Sequence, residues 1–501
     1  MFPVGVEADA LCREHRLAGL YRIIPPGQVN RAIRDCGRRR VCARCPALFM
    51  VYFVLGMGLF RGDCYRQVFR WIGARFMGAR FKLSTPGRST LCEARQRLGV
   101  KVLVRLCRWI VELLATAETP GAFYRDLRLM AVDGFVADVP DSAANRKVFG
   151  YAQGGRTAGA FPQVRIVALC EAGTHVFWRW LIKPITTSES AMADWLLRQL
   201  PADTLLMWDR GLLSYRRVRQ VIHQRAQLLA RVKSDVRLDP IRHLPDGSYL
   251  AKLYRNHGDR QADRDGLVVR VLRYTLKEPR RTGYHQTHRL ITTLIDHQLD
   301  PAKTLIELYH VRWEQELAID ELKTHQSAQP SMSGPMLRSQ TPGGVVQELY
   351  GLLLDHYVIR KLMFEAAAQA DAAQADAAQA DAARADAARA DAARADAAVQ
   401  TDAASLAAAP ARITPRRISF VGTLKILRCR IPLCPRQRTA RLQWYQALIE
   451  EIATELLPPR RNRINPRVIK RKMSRWKKKR PEHRNYPQPK QQFAKSIAML
   501  R

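Results

Sequence analysis

The chain has 501 residues, too many for one small domain and enough for a substantial core. Its 83 Lys and Arg outweigh 45 Asp and Glu, giving a formal net charge of +38, so a polyanion, nucleic acid first, is the expected partner. Ten scattered cysteines argue against a secreted disulfide scaffold, and the longest clean apolar run, Ala47–Phe60, would span about 21 Å as a helix against a hydrocarbon core of roughly 30 Å.

Glu7, Asp9 and Glu14 precede any apolar run, so no secretory leader or membrane role is expected, and a cytoplasmic location follows. Cys42 and Cys45 form one CxxC, but Cys429 and Cys434 have the wrong spacing to complete a zinc site. Residues 1–120 read as a helical domain, with apolar positions recurring through Val51–Phe60, Tyr65–Phe69 and Val100–Leu114. Cations crowd its connections: Arg38, Arg39, Arg40 and Arg44, then Arg75, Arg80, Lys82 and Arg88. Helices with arginines at their ends suit phosphate docking, and Ser89–Leu98, with Arg95 and Arg97, reads as a groove-reading helix. A solvated basic bundle surface would carry the same pattern.

From Leu127 the pattern turns to strands in a domain spanning residues 121–330. Leu127–Val132 is mainly apolar and leads into Asp133, with Gly134 next to let the chain turn. Val164–Cys170 and His175–Ile182 read as strands, Ser190–Leu200 as a helix, Thr204–Trp208 as a strand leading into Asp209, and Leu213–Arg225 as a helix. A mixed α/β sheet with carboxylates at strand ends places a site along those ends. Asp209 and Glu316 are separated by 106 residues, more than one crossover needs. Within that interval Leu228–Val232, Ser248–Tyr254, Val268–Tyr274 and His288–Asp296 read as strands, so an all-β insertion is expected over about 235–298.

Thr304–Gln326 follows Asp300 and Pro301 and has no Gly or Pro in 23 residues, which predicts one helix. At about 100° per residue, Tyr309, Arg312, Glu316 and Lys323 fall within about 60° of one face. Residues 331–366 form a helical extension patterned over Val345–Phe364. Residues 367–412 hold an Ala/Asp/Arg repeat with Asp371, Asp376, Asp381, Asp386, Asp391 and Asp396 at intervals of five. Five residues advance about 140° around a helix, so no apolar stripe persists and a solvated helical spacer is expected. Residues 413–457 are helical, with Arg438–Leu456 amphipathic, and 458–501 form a basic tail whose lysines, arginines and Trp476 suit phosphates and bases.

The spacing Tyr309, Arg312, Glu316, Lys323 resembles the YREK signature of bacterial cut-and-paste transposases of the insertion-sequence-four family. The likeness continues through RRR and STLCEARQRLG in the helical domain, Asp133 before glycine, WDRGLLS around Asp209, and PRRISFVGTL after the repeat. It implies an α/β fold: an RNase H-like catalytic core with the β insertion before the glutamate helix, a helical DNA-end-binding N-terminal domain, and a helical and basic C-terminal region. It further implies that Asp133, Asp209 and Glu316 form a DDE triad holding Mg²⁺ or Mn²⁺, two ions, since carboxylates brought together need cations to share a site. Tyr309, Arg312 and Lys323 would hold phosphates, and Arg210 beside Asp209 would do the same.

The implied activity is excision of the element at its terminal inverted repeats and joining to target DNA, by a homodimer holding two double-stranded ends near the nucleoid. A decayed copy that only binds ends, as a repressor does, would share the charge and the tail, and a metal-dependent nuclease would share the triad. Asp138 and Asp141 lie near Asp133, but Asp133 alone directly follows the strand and precedes the glycine, as in the family's first-aspartate motif; Glu314, Asp320 and Glu321 share the helix of Glu316, and there the signature spacing, more than geometry, decides. Two departures stand out. Phe135 replaces the small hydroxyl residue that often follows Asp-Gly, and no Trp occurs from Asp209 to Arg312, where relatives use an aromatic to hold a flipped base. Tyr249, Tyr254, Tyr274 and Tyr284 are the available substitutes.

Overall fold

One large mixed sheet organises the molecule. The computed structural model describes residues 15–37, 45–73, 85–152, 159–281, 283–326, 337–395, 412–458 and 488–500. The strands are β1 (Phe123–Tyr124), β2 (Leu127–Asp138), β3 (Gln163–Glu171), β4 (Val176–Pro184), β5 (Thr204–Trp208), β6 (Gln227–Arg231), β7 (Pro240–His243), β8 (Tyr249–Leu253), β9 (Leu267–Leu276), β10 (His288–Thr292) and β11 (Ile497–Met499). Their order is β4-β3-β2-β5-β6-β10-β9-β8-β7, with β1 on β2 and β11 on β9. β5 runs parallel to β2 and β6 parallel to β5, and every other pairing is antiparallel.

The expected insertion is neither separate nor all-β. β10 pairs with β6, so the insertion continues the central sheet and covers an edge that would otherwise present unpaired backbone. It also contains the short helix His257–Gln261.

Alternation along β2 sorts the layers. Met130 and Val132 join the helices Glu189–Leu197 and Tyr215–His223 in one core, whereas Leu129 and Ala131 face the helix Ala302–Tyr309 on the opposite side. Phe135 and Ala137, of the same parity, face a helical bundle built from Ala47–Leu59, Val100–Ile110, the long helix Pro342–Ala395 and Arg438–Ala453. Asp133 therefore points from the sheet into the angle between that bundle and the glutamate helix. Nearly all of Ala47–Leu59 is buried, and no described helix is long and apolar enough to cross a membrane.

The long helix is buried through Ala367 and then runs into the repeat, where Ala372–Ala387 are exposed. The repeat thus begins as a continuation of a core helix, and Arg384 and Asp381 pair along its surface at 3.3 Å. The C-terminal end is fastened as well. β11 pairs with β9, Arg281 Nη2 donates to the Gln491 carbonyl at 2.8 Å, and the Phe493 ring lies 3.6 Å from that of His310. The basic run and Trp476 fall outside the described residues.

One expected DNA contact is overturned. Arg95, on the helix Arg88–Leu98, is only 3 % exposed and donates to Tyr65 Oη at 2.6 Å, Ser339 Oγ at 3.1 Å and the Gly344 carbonyl at 2.9 Å. Its charge is used inside the protein, opposite Glu348 of the long helix at 3.9 Å, with Arg61 at 3.4 Å from the same carboxylate. Burial pushes the Glu348 carboxyl up, but Arg61, Arg95 and Arg338 outweigh it and hold it below the ordinary range. Its contribution is thus present above the unfolded pKa of about 4.3 and is lost as pH falls through the lower folded value. Glu348→Ala strands two buried cations, so an unfolding free energy lower by about 3–5 kcal/mol is expected in denaturant titrations at pH 7. A change below about 1 kcal/mol, the worth of an exposed pair, would contradict the role assigned to it.

Candidate active site

The parallel pairing of β2 and β5 runs from Arg128↔Thr204 to Ala131↔Met207, and two residues further on Asp133 and Asp209 stand level on neighbouring chains. Both share the parity of the residues facing the glutamate helix. Asp133 does not end its strand, as expected, but sits inside β2, which continues to Asp138 against β3. β5 does stop at Trp208, and Asp209 caps the short turn that follows. Each carboxylate is oriented by the next backbone amide: Gly134 N donates to Asp133 Oδ1 at 2.8 Å and Arg210 N to Asp209 Oδ1 at 2.6 Å. Asp209 and Arg210 are exposed, and Asp133 is half-buried.

The glutamate helix is not one regular helix. It runs as Ala302–Tyr309, a tighter turn His310–Arg312, Trp313–Asp320, and a wider π turn Glu321–Gln326. The four signature residues nevertheless converge. Tyr309 Oη donates to the carbonyl of Trp208, the residue before Asp209, at 3.2 Å. Arg312 Nη2 donates to Glu316 Oε1 at 2.8 Å, while its Nη1 lies 3.9 Å from Asp133 Oδ2. Burial pushes the Arg312 guanidinium down, but Tyr309, Glu316 and Asp209 more than compensate and hold it charged. Lys323 Nζ sits 5.7 Å from the centre of the Phe135 ring, two residues along β2 from Asp133, so the departure at Phe135 gives that lysine a face to rest on.

The rival acids are engaged elsewhere. Asp138 accepts from Gln163 Nε2 at 2.8 Å, and Asp141 accepts from Tyr151 Oη at 2.7 Å. Glu314 takes His175 Nε2 at 2.8 Å, and Glu321 is bound by His175 Nδ1 at 3.0 Å, His356 Nε2 at 3.1 Å and Arg360 Nε at 2.9 Å. Asp320 is exposed and accepts from Thr324. Glu314 and Glu321 thereby anchor the helix to the β3–β4 turn and the long helix. Gln315 Nε2, donating to the Ala168 carbonyl at 3.1 Å, ties it to β3. At its start, Arg270 Nη1 donates to the Asp300 carbonyl at 2.6 Å, and Ala302 N donates to Asp246 Oδ2 at 2.9 Å.

Burial is the main reason that Asp133 is pushed up to about 6, with the charges of Glu189 and Glu316 adding to it and the Gly134 amide and Arg312 opposing. Glu189 was not anticipated from the sequence, where it reads only as an acid at a helix start. Among the described residues no three His, Cys, Asp or Glu side chains are grouped closely enough to hold a metal ion. The carboxylates are gathered around Arg312 instead. Of the four tyrosines, Tyr249 and Tyr274 are buried and Tyr254 Oη donates to Asp263 at 2.6 Å, whereas Tyr284 is 37 % exposed.

Comparison with known proteins defines the class first. Residues 124–351 match the family described as the transposase DDE domain, and residues 14–108 match the insertion element 4 transposase N-terminal domain. The chain belongs to the insertion element 4 family of DDE transposases. It is 28 % identical over 374 residues to the transposase InsG for insertion sequence element IS4 of Escherichia coli (strain K12), covering 73 % of this chain and 81 % of that protein. Among solved structures, the piggyBac transposase in a synaptic complex with hairpin DNA aligns with a TM-score of 0.36 and 11 % identity, over 69 % of this chain and 73 % of that one.

Because Asp133 titrates at about 6 in the folded chain and near 3.9 in an unfolded one, the native state holds this proton more tightly. Stability from this residue is therefore greatest below about pH 4 and is lost as pH rises through about 6. Asp133→Asn, which cannot ionise, should raise the melting temperature at pH 7 without divalent ions, by a margin that fades towards pH 4. Melting curves that coincide with wild type at pH 7 would show that ionised Asp133 carries no burial penalty.

Proposed function

We propose that this transposase performs cut-and-paste transposition of its own insertion element, cleaving DNA at the terminal inverted repeats and joining the freed ends to a target. The observation that carries the reading is Arg312 tying Asp133 to Glu316 beside Asp209, since it draws acids from two strands and one helix to a single locus. The strand order β4-β3-β2-β5-β6, antiparallel across the first three and parallel from β2 to β6, supports an RNase H-like core. The donor set fits hard divalent ions: its atoms are carboxylate oxygens, and the burial that chiefly raises Asp133, with the charge of Glu316 adding to it, is a cost of ionisation that a bound cation would offset.

Asp133, Asp209 and Glu316 would hold Mg²⁺ or Mn²⁺, two ions, and ions so placed activate a water or a 3′ hydroxyl and stabilise the leaving oxygen of an in-line displacement. The chain's own residues prepare that locus. Tyr309 fixes the carbonyl before Asp209 and so sets the direction of that carboxylate. Arg312 lies between Glu316 and Asp133 and draws both carboxylates towards it, and its Nε is buried without an acceptor among the described residues, which suits a phosphate oxygen. Lys323 and the exposed Arg210 flank the carboxylates and would grip the DNA backbone on either side. The helical domain and the C-terminal region would bind the element ends, with a homodimer holding two of them together.

The test uses the purified full chain, Mg²⁺ and DNA ending in the repeats that flank the gene. Asp133→Ala and Glu316→Ala should each bind those ends as wild type does but cut them at least about a hundredfold more slowly, the upper range for losing even an outer partner of a metal ligand. Cleavage at the wild-type rate by either variant would remove that residue from the site.

A further inference from the structure

Three neighbouring strands of the core carry a charged residue at one level. The parallel register of β5 and β6 pairs Met207 with Leu229 and Trp208 with Ala230, so the next residues, Asp209 and Arg231, stand side by side as Asp133 and Asp209 do. Arg231 shares the parity of Leu229, which packs with Leu205, Met207, Ile306 and Tyr309, so its side chain projects towards the glutamate helix. Its charge reaches Tyr309 and His310 of that helix. The row from β2 to β6 thus reads Asp133, Asp209, Arg231. Lys323 rests on Phe135 at the β2 end, and Arg231 closes the other end. Strands lie about 4.8 Å apart, which puts Arg231 roughly one strand spacing beyond Asp209.

Several arginines of the insertion are used inside the protein. Arg270 Nη1 donates to the Asp300 carbonyl at 2.6 Å, Arg280 Nη1 to that of Gln488 at 3.0 Å and Arg281 Nη2 to that of Gln491 at 2.8 Å, while Arg289 donates to the carbonyl of Lys233. Half-buried Arg231 is different. Among the described residues it donates to no backbone carbonyl and pairs with no carboxylate, and its hydrogen bond runs from Nη2 to His288 Nδ1 at 3.4 Å. An arginine can only donate, so Nδ1 accepts and the ring proton sits on Nε2, which donates to the Gly283 carbonyl at 3.1 Å. Burial, with the charge of Arg231 adding to it and the Gly283 carbonyl opposing, holds His288 below its ordinary range and so neutral. Gly283 has a φ of 88°, and a Cβ there would lie 2.7 Å from His288 Cε1 and Nε2, so this turn needs glycine to hold the ring so close. A guanidinium steadied by a neutral acceptor keeps its charge, and most of its five donors, for an anion.

We infer that Arg231 is a phosphate-binding residue that grips a phosphodiester beside the scissile one, on the β6 side of the carboxylates, and that His288 orients its guanidinium. The inference rests on the proposed function, because the scissile phosphate is the one assigned to Asp133, Asp209 and Glu316. The planar fork of an arginine suits two oxygens of one phosphate. Arg231 and Lys323 then hold the backbone on both sides of the reacting group, and two fixed points set its direction against the attacking oxygen.

The experiment follows single-turnover cleavage by the full chain and Mg²⁺ of DNA ending in the repeats that flank the gene, for wild type, Arg231→Ala, Arg231→Gln, His288→Ala and Asp133→Ala. Each is run on unmodified DNA and on DNAs carrying one neutral methylphosphonate, scanned through the phosphates flanking the cleavage site. Circular dichroism melting checks that each variant is folded, and Arg231→Gln, which keeps a polar stem, serves if the alanine variant is not. At one flanking position the methylphosphonate should slow wild type about ten- to a hundredfold, the range for a charge-assisted hydrogen bond. The Arg231 variants should be slowed as much on unmodified DNA, and less than about twofold further by that methylphosphonate, because the two changes remove one contact. His288→Ala should move the same way by a smaller factor, and wild-type cleavage by it removes the histidine's part. Arg231 variants that cleave at the wild-type rate, or that show the full methylphosphonate loss on top of their own, overturn the inference, as does a wild-type rate that no methylphosphonate lowers. Loss of cleavage in Asp133→Ala then leaves the proposed function standing, whereas wild-type cleavage by Asp133→Ala overturns both.

Discussion

A single guanidinium among several carboxylates is the constraint on which this structure turns. Arg312 lies 2.8 Å from Glu316 and 3.9 Å from Asp133, and the charge of Asp209 reaches it as well. Unit charges about 4 Å apart interact by roughly 4 kcal/mol at an effective dielectric of about 20, so Arg312 alone does not balance Asp133, Asp209 and Glu316. The site thus gathers carboxylates inside a chain whose formal charge is +38. The two signs serve different ends. The overall excess would draw DNA in over long range, and the gathered carboxylates would take up cations where a phosphate approaches.

Glu316 is 183 positions from Asp133, and its placement depends on the helix being held at several points. Arg270 and Asp246 of the insertion bind its start, while the buried pairs of Glu314 and Glu321 with His175, His356 and Arg360 bind its later turns. Burial pushes His356 down to about 4, so it stays neutral at ordinary pH and accepts its place beside Arg360 without adding charge. The β insertion has a mechanical part in this arrangement. By continuing the sheet from β6 it presents Arg270 to the residues that open the glutamate helix.

Much of this was legible in the chain. Thr204–Trp208 coincides with β5, and the shift from helical to strand patterning near Leu127 coincides with the start of β2. The signature spacing singles out Glu316 among the five acids of Thr304–Gln326, and the structure shows Glu314 and Glu321 paired elsewhere. What the chain concealed depended on distant partners. Arg95 looks like a groove-facing cation because Glu348, which neutralises it, lies 253 positions away. Glu189 resembles any acid opening a helix until β2 passes beneath it. β11 has three residues, too few for periodicity to register, and exists because β9 offers it a partner. The π turn at Glu321–Gln326 left no mark in a run free of Gly and Pro.

The most direct test of the account is a crystal structure of the full chain with its end DNA and Mn²⁺, read at the manganese absorption edge. The account predicts anomalous peaks bounded by the carboxylates of Asp133, Asp209 and Glu316, with Arg312 turned from those acids towards a phosphate. Manganese bound elsewhere, with Arg312 still between Asp133 and Glu316 and DNA in place, would contradict it.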